Sequence, residues 1–105
     1  MDIQFKKGLL DLCVLGIIYS QDCYGYELVE RVSQVIDITK GTLYPLLKRL
    51  QDERFLEYYI LESAYGPPRK YYRITAKGRD YFNRQRDEWY KISNSLTKFL
   101  EGVSL

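Results

Sequence analysis

The sequence predicts a mainly α fold with one β-hairpin: three helices, then the hairpin, then one long helix. Three observations carry this. Apolar residues recur at helical spacing in three segments between Phe5 and Phe55. The runs "FLEYYILE" and "RKYYRIT" are rich in aromatic and β-branched residues and flank the turn-forming "SAYGPP". From Phe82 onward, apolar positions advance in alternating steps of three and four. A chain of 105 residues with 46% hydrophobic content can fill one core and leaves little for a second.

The first helix runs from Phe5 to Ser20. Leu9, Leu10, Leu12, Cys13, Val14, Leu15, Ile17 and Ile18 are too dense for a one-sided surface helix, so it is buried on most sides. "SQDC" interrupts it, and "YGYELVERVSQVI" resumes as a shorter helix with Leu28, Val32 and Val35 or Ile36 inward.

The third helix lies within "DITKGTLYPLLKRLQDERF", with Leu43, Leu46 or Leu47, and Leu50 on one face. Two starts stand open. An N-cap at Thr42 puts Pro45 in the first turn, where its missing N–H costs nothing. An N-cap at Thr39 puts it in the second turn, where it distorts the helix. Either way Lys40, Tyr44, Lys48 and Arg49 lie off the leucine face, as a cationic and aromatic surface.

In the hairpin, side chains alternate between faces. If Ile74 points to the core so does Tyr72, and Arg69, Tyr71 and Arg73 take the other face; Lys70 shares the inner parity but sits at the tip. Thr75 is placed to cap the last helix. Along it Phe82, Gln85, Trp89, Ile92, Leu96, Phe99 and Val103 form a heptad seam. A helix of about 25 residues is roughly 40 Å long, more than a three-helix domain can cover. It therefore pairs with its copy in a dimer, or else folds back on the first helix of its own chain.

Charge is unevenly spread. Residues 1–39 carry three cations against six anions, a net of −3, whereas residues 40–79 carry nine against four, a net of +5. The positive charge gathers where the third helix and hairpin lie, as a polyanion-binding surface requires. The chain has no histidine, and Cys13 and Cys23 are not in CxxC spacing. That removes the usual general base, the usual zinc ligand and every Ser-His or Cys-His nucleophile, so no enzyme, metal or cofactor is expected. The apolar stretch Leu9 to Tyr19 contains Asp11 and falls short of the roughly 20 residues of a membrane span. A soluble, cytoplasmic protein with reduced cysteines is the expectation.

Three helices followed by a hairpin is the winged helix-turn-helix arrangement, in which the third helix enters the major groove and the wing touches the flanking backbone. The motifs "YGYEL", "GTLYPLLKRLQDE" and "GPPRKYYRITAKGRDYF" resemble the PadR family of bacterial transcriptional regulators, collinearly from about Leu9 to Leu100. The single last helix is like the short members of that family. Arg54-Phe55 departs from the family pattern, which more often has a glycine there.

The resemblance implies a homodimer on a palindromic operator in double-stranded DNA, acting as a repressor that a small molecule releases. It divides the chain into a winged DNA-binding domain, residues 1–75, and a dimerisation helix, residues 76–105, in one compact unit. Thr42, Tyr44, Lys48 and the tip from Gly66 to Lys70 correspond to the family's DNA-contacting positions. The interface corresponds to the first and last helices: Leu9 and Cys13 with Phe82, Gln85, Trp89, Ile92, Leu96 and Phe99.

Several residues keep two readings. Tyr44 meets DNA or closes its own helix's core. Lys48 and Arg49 meet DNA or pair with Asp52 and Glu53. Arg73 meets DNA or pairs across the hairpin with Glu57 or Glu62, and Tyr71 packs or touches DNA. Trp89 is a core residue of the dimer or, as resemblance to multidrug-binding family members implies, stacks a flat aromatic effector against its symmetry mate. A protein-binding winged-helix dimer that reads no DNA is the alternative function.

Overall fold

The computed structural model describes residues 3–103, with side chains from residue 8 onward. The order is α1 (Ile3–Ser20), β1 (Cys23–Tyr24), α2 (Gly25–Ser33), α3 (Lys40–Asp52), β2 (Leu56–Ser63), β3 (Gly66–Ile74) and α4 (Ala76–Glu101). The predicted class holds, mainly α with a hairpin, but the sheet has a third strand. The short β1 pairs antiparallel with β3, Cys23 opposite Tyr72 and Tyr24 opposite Tyr71, giving the order β1-β3-β2. Two residues are too few to show an alternating pattern in sequence.

The leucine face of α3 (Leu43, Leu46, Leu47, Leu50) closes on Val14, Leu15 and Ile18 of α1 and Leu28 and Val32 of α2 to form one core. Tyr72 and Ile74 point into it as parity requires, and Leu56 meets them from β2. Farther out the same parity leads to Tyr58 and Ile60, both exposed, so the hairpin leaves the core and projects as a wing.

Two boundaries differ from expectation, and a third is decided between the two starts that stood open. α2 ends at Ser33 instead of running to Ile36, because Gln34 and Val35 donate to carbonyls three residues back and tighten the last turn. α3 starts from Thr39, whose carbonyl accepts from both Thr42 and Leu43. Pro45 is thus inside the helix; it deprives only the exposed Gly41 carbonyl of an intrahelical donor, and the helix continues to Asp52. The turn is just Ala64-Tyr65, with both prolines in β3. Between the pairs Leu61–Arg69 and Ser63–Gly66, the single Glu62 faces Pro67 and Pro68 across a bulge. Proline cannot donate to a ladder, and a bulge is where a strand tolerates it.

The end of α3 explains the departure at Arg54. Phe55 N–H donates to Leu50 and Arg54 N–H to Gln51, the paired bonds of a Schellman cap. The residue after such a cap is left-handed, and Arg54 has φ of 66°. A side chain there costs about 1 kcal/mol that glycine avoids. Arg54→Gly should therefore raise the unfolding free energy by about 0.5–1 kcal/mol, after allowing for glycine's freer unfolded chain. A urea melt with unchanged slope and a higher midpoint is the expected result.

Thr75 caps α4 as expected, accepting from Gly78 N–H at 2.9 Å while its own hydroxyl donates to the Arg54 carbonyl at 2.7 Å. The wing's exit and the helix's start are thereby fixed to the end of α3.

Candidate nucleic-acid interface

The start of α2, the start of α3 and the wing converge on an open recess of about 250 Å³ lined by Tyr24, Tyr26, Tyr44, Arg69, Lys70 and Tyr72 with Gly25. Gly25 is needed there by close approach: a Cβ would stand 2.9 Å from the Tyr44 ring. Tyr44 therefore seats on the start of α2 while remaining half exposed.

The cations of this surface are held over rings. Arg69 lies 4.6 Å from the Tyr24 centroid, Lys40 5.6 Å from Tyr26, and Lys70 4.1 Å from Tyr58. Each such contact stabilises by about 0.5–1 kcal/mol at an exposed site and restricts the cation's rotamers. The rings brace one another: Tyr26 on Tyr24 at 6.4 Å, Tyr24 on Tyr71 at 5.5 Å, Tyr71 on Tyr59 at 5.7 Å. Tyr71 is thus a packing residue between two rings. Tyr59 donates to Asp22 at 2.7 Å, a bond that raises its phenol pKa and ties the wing to the loop before β1.

The expected DNA residues separate into two groups by their partners. Among the described residues, no carboxylate lies within ion-pair distance of Lys40, Arg69 or Lys70. Thr42, Tyr44 and Gly66 are exposed beside them. Lys48 is exposed but paired with Asp52 at 3.4 Å, and Arg73 with Glu57, its direct cross-strand neighbour, at 3.0 Å. Arg49 does not join the cluster: it turns back to Asp11 of α1 and to Glu53. The sequence reading missed Tyr24 and Tyr26 as supports for the cations. "YGYEL" held the signal, two aromatics on either side of a glycine, but their cationic partners are distant in sequence.

Six of the expected interface residues meet between α1 and α4. Leu9, Cys13, Phe82 and Trp89 line an apolar groove of about 550 Å³ between α1 and α4. An adjoining hollow adds Gln85 and Ile92. Phe82 is held against Gly16 and packs on Tyr19 at 5.3 Å, so the first turns of α4 do fold back on α1. Farther along α4, Leu96 and Phe99 are 52% and 67% exposed. Burial pushes the Cys13 and Cys23 thiols up, keeping them protonated and unreactive. Among the described residues no group of three His, Cys, Asp or Glu is placed to hold a metal, and no helix is long and apolar enough to cross a membrane.

A three-helix core, a projecting wing and a long terminal helix define a winged-helix protein. The chain belongs to the PadR-like family of transcriptional regulators, whose profile it matches over residues 14–84; members of this family are regulators and not enzymes. It is similar to a PadR-like transcriptional regulator from Bacillus cereus strain ATCC 14579, with a TM-score of 0.87 and 36% identity, covering 95% of this chain and 99% of that one. A PadR family transcription regulator from Clostridium difficile R20291 matches with a TM-score of 0.81 and 31% identity over 87% and 97% of the two chains. An uncharacterized protein of Lysinibacillus sphaericus is 34% identical over 101 residues, 92% of this chain and 93% of its own. The transcriptional regulator YqjI of Escherichia coli K12 is 26% identical over 105 residues, and the chain spans only 49% of its length.

Proposed function

We propose that this regulator is a homodimeric repressor that binds double-stranded DNA at a palindromic operator. Residues 1–75 contact the DNA and residues 76–105 join the copies. The single observation that carries DNA binding is the set of unpaired cations, Lys40, Arg69 and Lys70, braced over tyrosines around one recess. Cations already stripped of carboxylates and partly fixed in rotamer neutralise phosphate without first breaking a pair. In this reading Thr42, Tyr44 and Lys48 of α3 face the major groove, and the wing from Gly66 to Lys70 lies on the backbone beside it. Arg73 adds charge at the wing's edge.

The test is a gel shift on genomic fragments at two salt concentrations. A salt-sensitive shift is expected, and none at micromolar protein would end the DNA-binding reading. Arg69→Ala with Lys70→Ala should weaken binding to every fragment and make the salt slope shallower by about 3.6 per dimer if all four cations meet phosphate. An unchanged slope takes the wing out of the contact surface.

Dimerisation is supported by the groove and by the shape of one protomer. Its radius of gyration is 16.1 Å, against about 13 Å for a compact chain of this length. The exposed apolar side chains of α4 need a cover. We further propose that a planar aromatic effector binds at Trp89, where two copies bring two indoles together. Trp89 is the only tryptophan, so its emission reports directly; quenching by planar aromatics in the wild type, with loss of DNA binding at the same concentrations, is the expected outcome.

A further inference from the structure

Arg49 lies in the last turn of the helix proposed to read DNA, one residue after the exposed Lys48, and by sequence it is an equal candidate for phosphate contact. Its guanidinium instead bonds to Asp11 of α1, whose residue exposure is 8%, and is shared with Glu53 at 3.4 Å. For Arg49 to reach DNA it would have to abandon a carboxylate that is almost wholly buried. Giving up a charge-assisted bond to a carboxylate held away from water is unfavourable, since the strength of that bond is not matched by an exposed phosphate contact. Asp11 is also the only charged residue buried in the described core.

The position of the pair gives it a use. α1 presents Leu9, Leu12 and Cys13 to the groove with α4, while Asp11, on another face of the same turns, holds α3. Apolar packing along α1 sets its register through shape alone and tolerates small shifts with modest cost. An ion pair with a hydrogen bond has one preferred geometry. We infer that Arg49 and Asp11 are positioning residues: together they fix α3 relative to α1, and so set the separation of the two α3 helices in the dimer. Neither touches DNA. This rests on the DNA-binding reading above, and it predicts that the pair governs which half-site spacing is accepted.

The experiment uses the full chain and the shortest genomic duplex that the wild type retains, together with derivatives carrying one or two base pairs inserted at its centre. Two variants are compared, Asp11→Asn and the pair Asp11→Leu with Arg49→Met. The second keeps the test open if the first folds poorly, since apolar replacement of a buried pair is commonly tolerated. Both should remain dimeric and bind the unmodified duplex about tenfold more weakly, within the range that residues linking two sites command. The inserted base pairs should cost them less than they cost the wild type, and their salt slope should equal the wild-type slope.

If Arg49 were a phosphate contact, Asp11→Asn would free it and tighten binding. The paired variant would then lose one counterion per protomer, a slope shallower by about 1.8. Either result overturns the inference, as does unaltered affinity or an unaltered spacing penalty. Failure of the wild type itself to shift any fragment is a different result, and it removes the DNA-binding reading first.

Discussion

Gly78→Ala should destabilise the protein by about 2–4 kcal/mol, although alanine is the better helix former. Gly78 sits in the first turn of α4 with no positive φ, so conformational freedom is not what selects glycine. On propensity alone the substitution should stabilise by about 0.8–1 kcal/mol. The contact decides otherwise: a Cβ would stand 2.2 Å from the Phe55 carbonyl oxygen and 2.8 Å from Ile74 Cγ1. The carbonyl is backbone and cannot rotate away.

That carbonyl is also engaged, accepting from Thr75 N–H at 3.1 Å and lying 3.2 Å from the Thr75 hydroxyl that caps α4. Moving it loosens the cap and the junction of α3, wing and α4 at once. Overpacking costs about 1–3 kcal/mol and a lost cap about 1 kcal/mol, a large share of the roughly 5–15 kcal/mol that holds a small domain together. Urea unfolding followed by circular dichroism gives the measurement. Gly41→Ala is the control: its nearest neighbour is the Thr39 hydroxyl at an ordinary 3.7 Å, so its midpoint should hold or rise. Equal midpoints for the two variants would show that α4 can shift to admit a methyl.

What could be read from the chain and what could not divide along sequence distance. The four long helices, the hairpin and the inward parity of Tyr72 and Ile74 follow from spacing over a few residues. The Thr75 cap followed from local chemistry in the same way. The strand Cys23–Tyr24 exists only because β3 passes beside it, with Cys23 opposite Tyr72 and Tyr24 opposite Tyr71, and nothing local announces it. The start of α3 was undecided because both threonines are good caps; the turn gained by starting at Thr39 outweighs the one bond that Pro45 forfeits.

The site shows the same division. Lys40, Arg69 and Lys70 are visible as basic residues, but the tyrosines that hold them come from β1, α2 and β2. Arg49 was indistinguishable from Lys48 until α1 supplied Asp11. Charge patterning identifies a basic surface; which cations on it remain unpaired is a tertiary fact.

Leu96→Glu with Phe99→Glu should turn the proposed dimer into monomers and remove the tight DNA binding proposed for it, without unfolding the protomer. Both residues lie farther along α4 than Trp89 and are more than half exposed there, so acidic side chains meet water in the isolated protomer and cost its fold little. In a dimer seam the same substitutions remove apolar burial of about 1.5–3 kcal/mol per side chain and put like charges close together. Sedimentation of wild type and variant at micromolar concentration should show twice and once the chain mass of 12.5 kDa.

The loss of DNA binding then follows from concentration. Linked in a dimer, the second protomer meets its half-site at an effective concentration of about 1 mM. At about 1 µM free monomer the second half-site is some thousandfold harder to fill, with Lys40, Arg69 and Lys70 all intact. The circular dichroism spectrum and the weak, salt-dependent binding of single protomers should persist. A variant that stays dimeric would move the interface off α4, and a monomeric variant with wild-type affinity would mean that one protomer alone suffices for recognition.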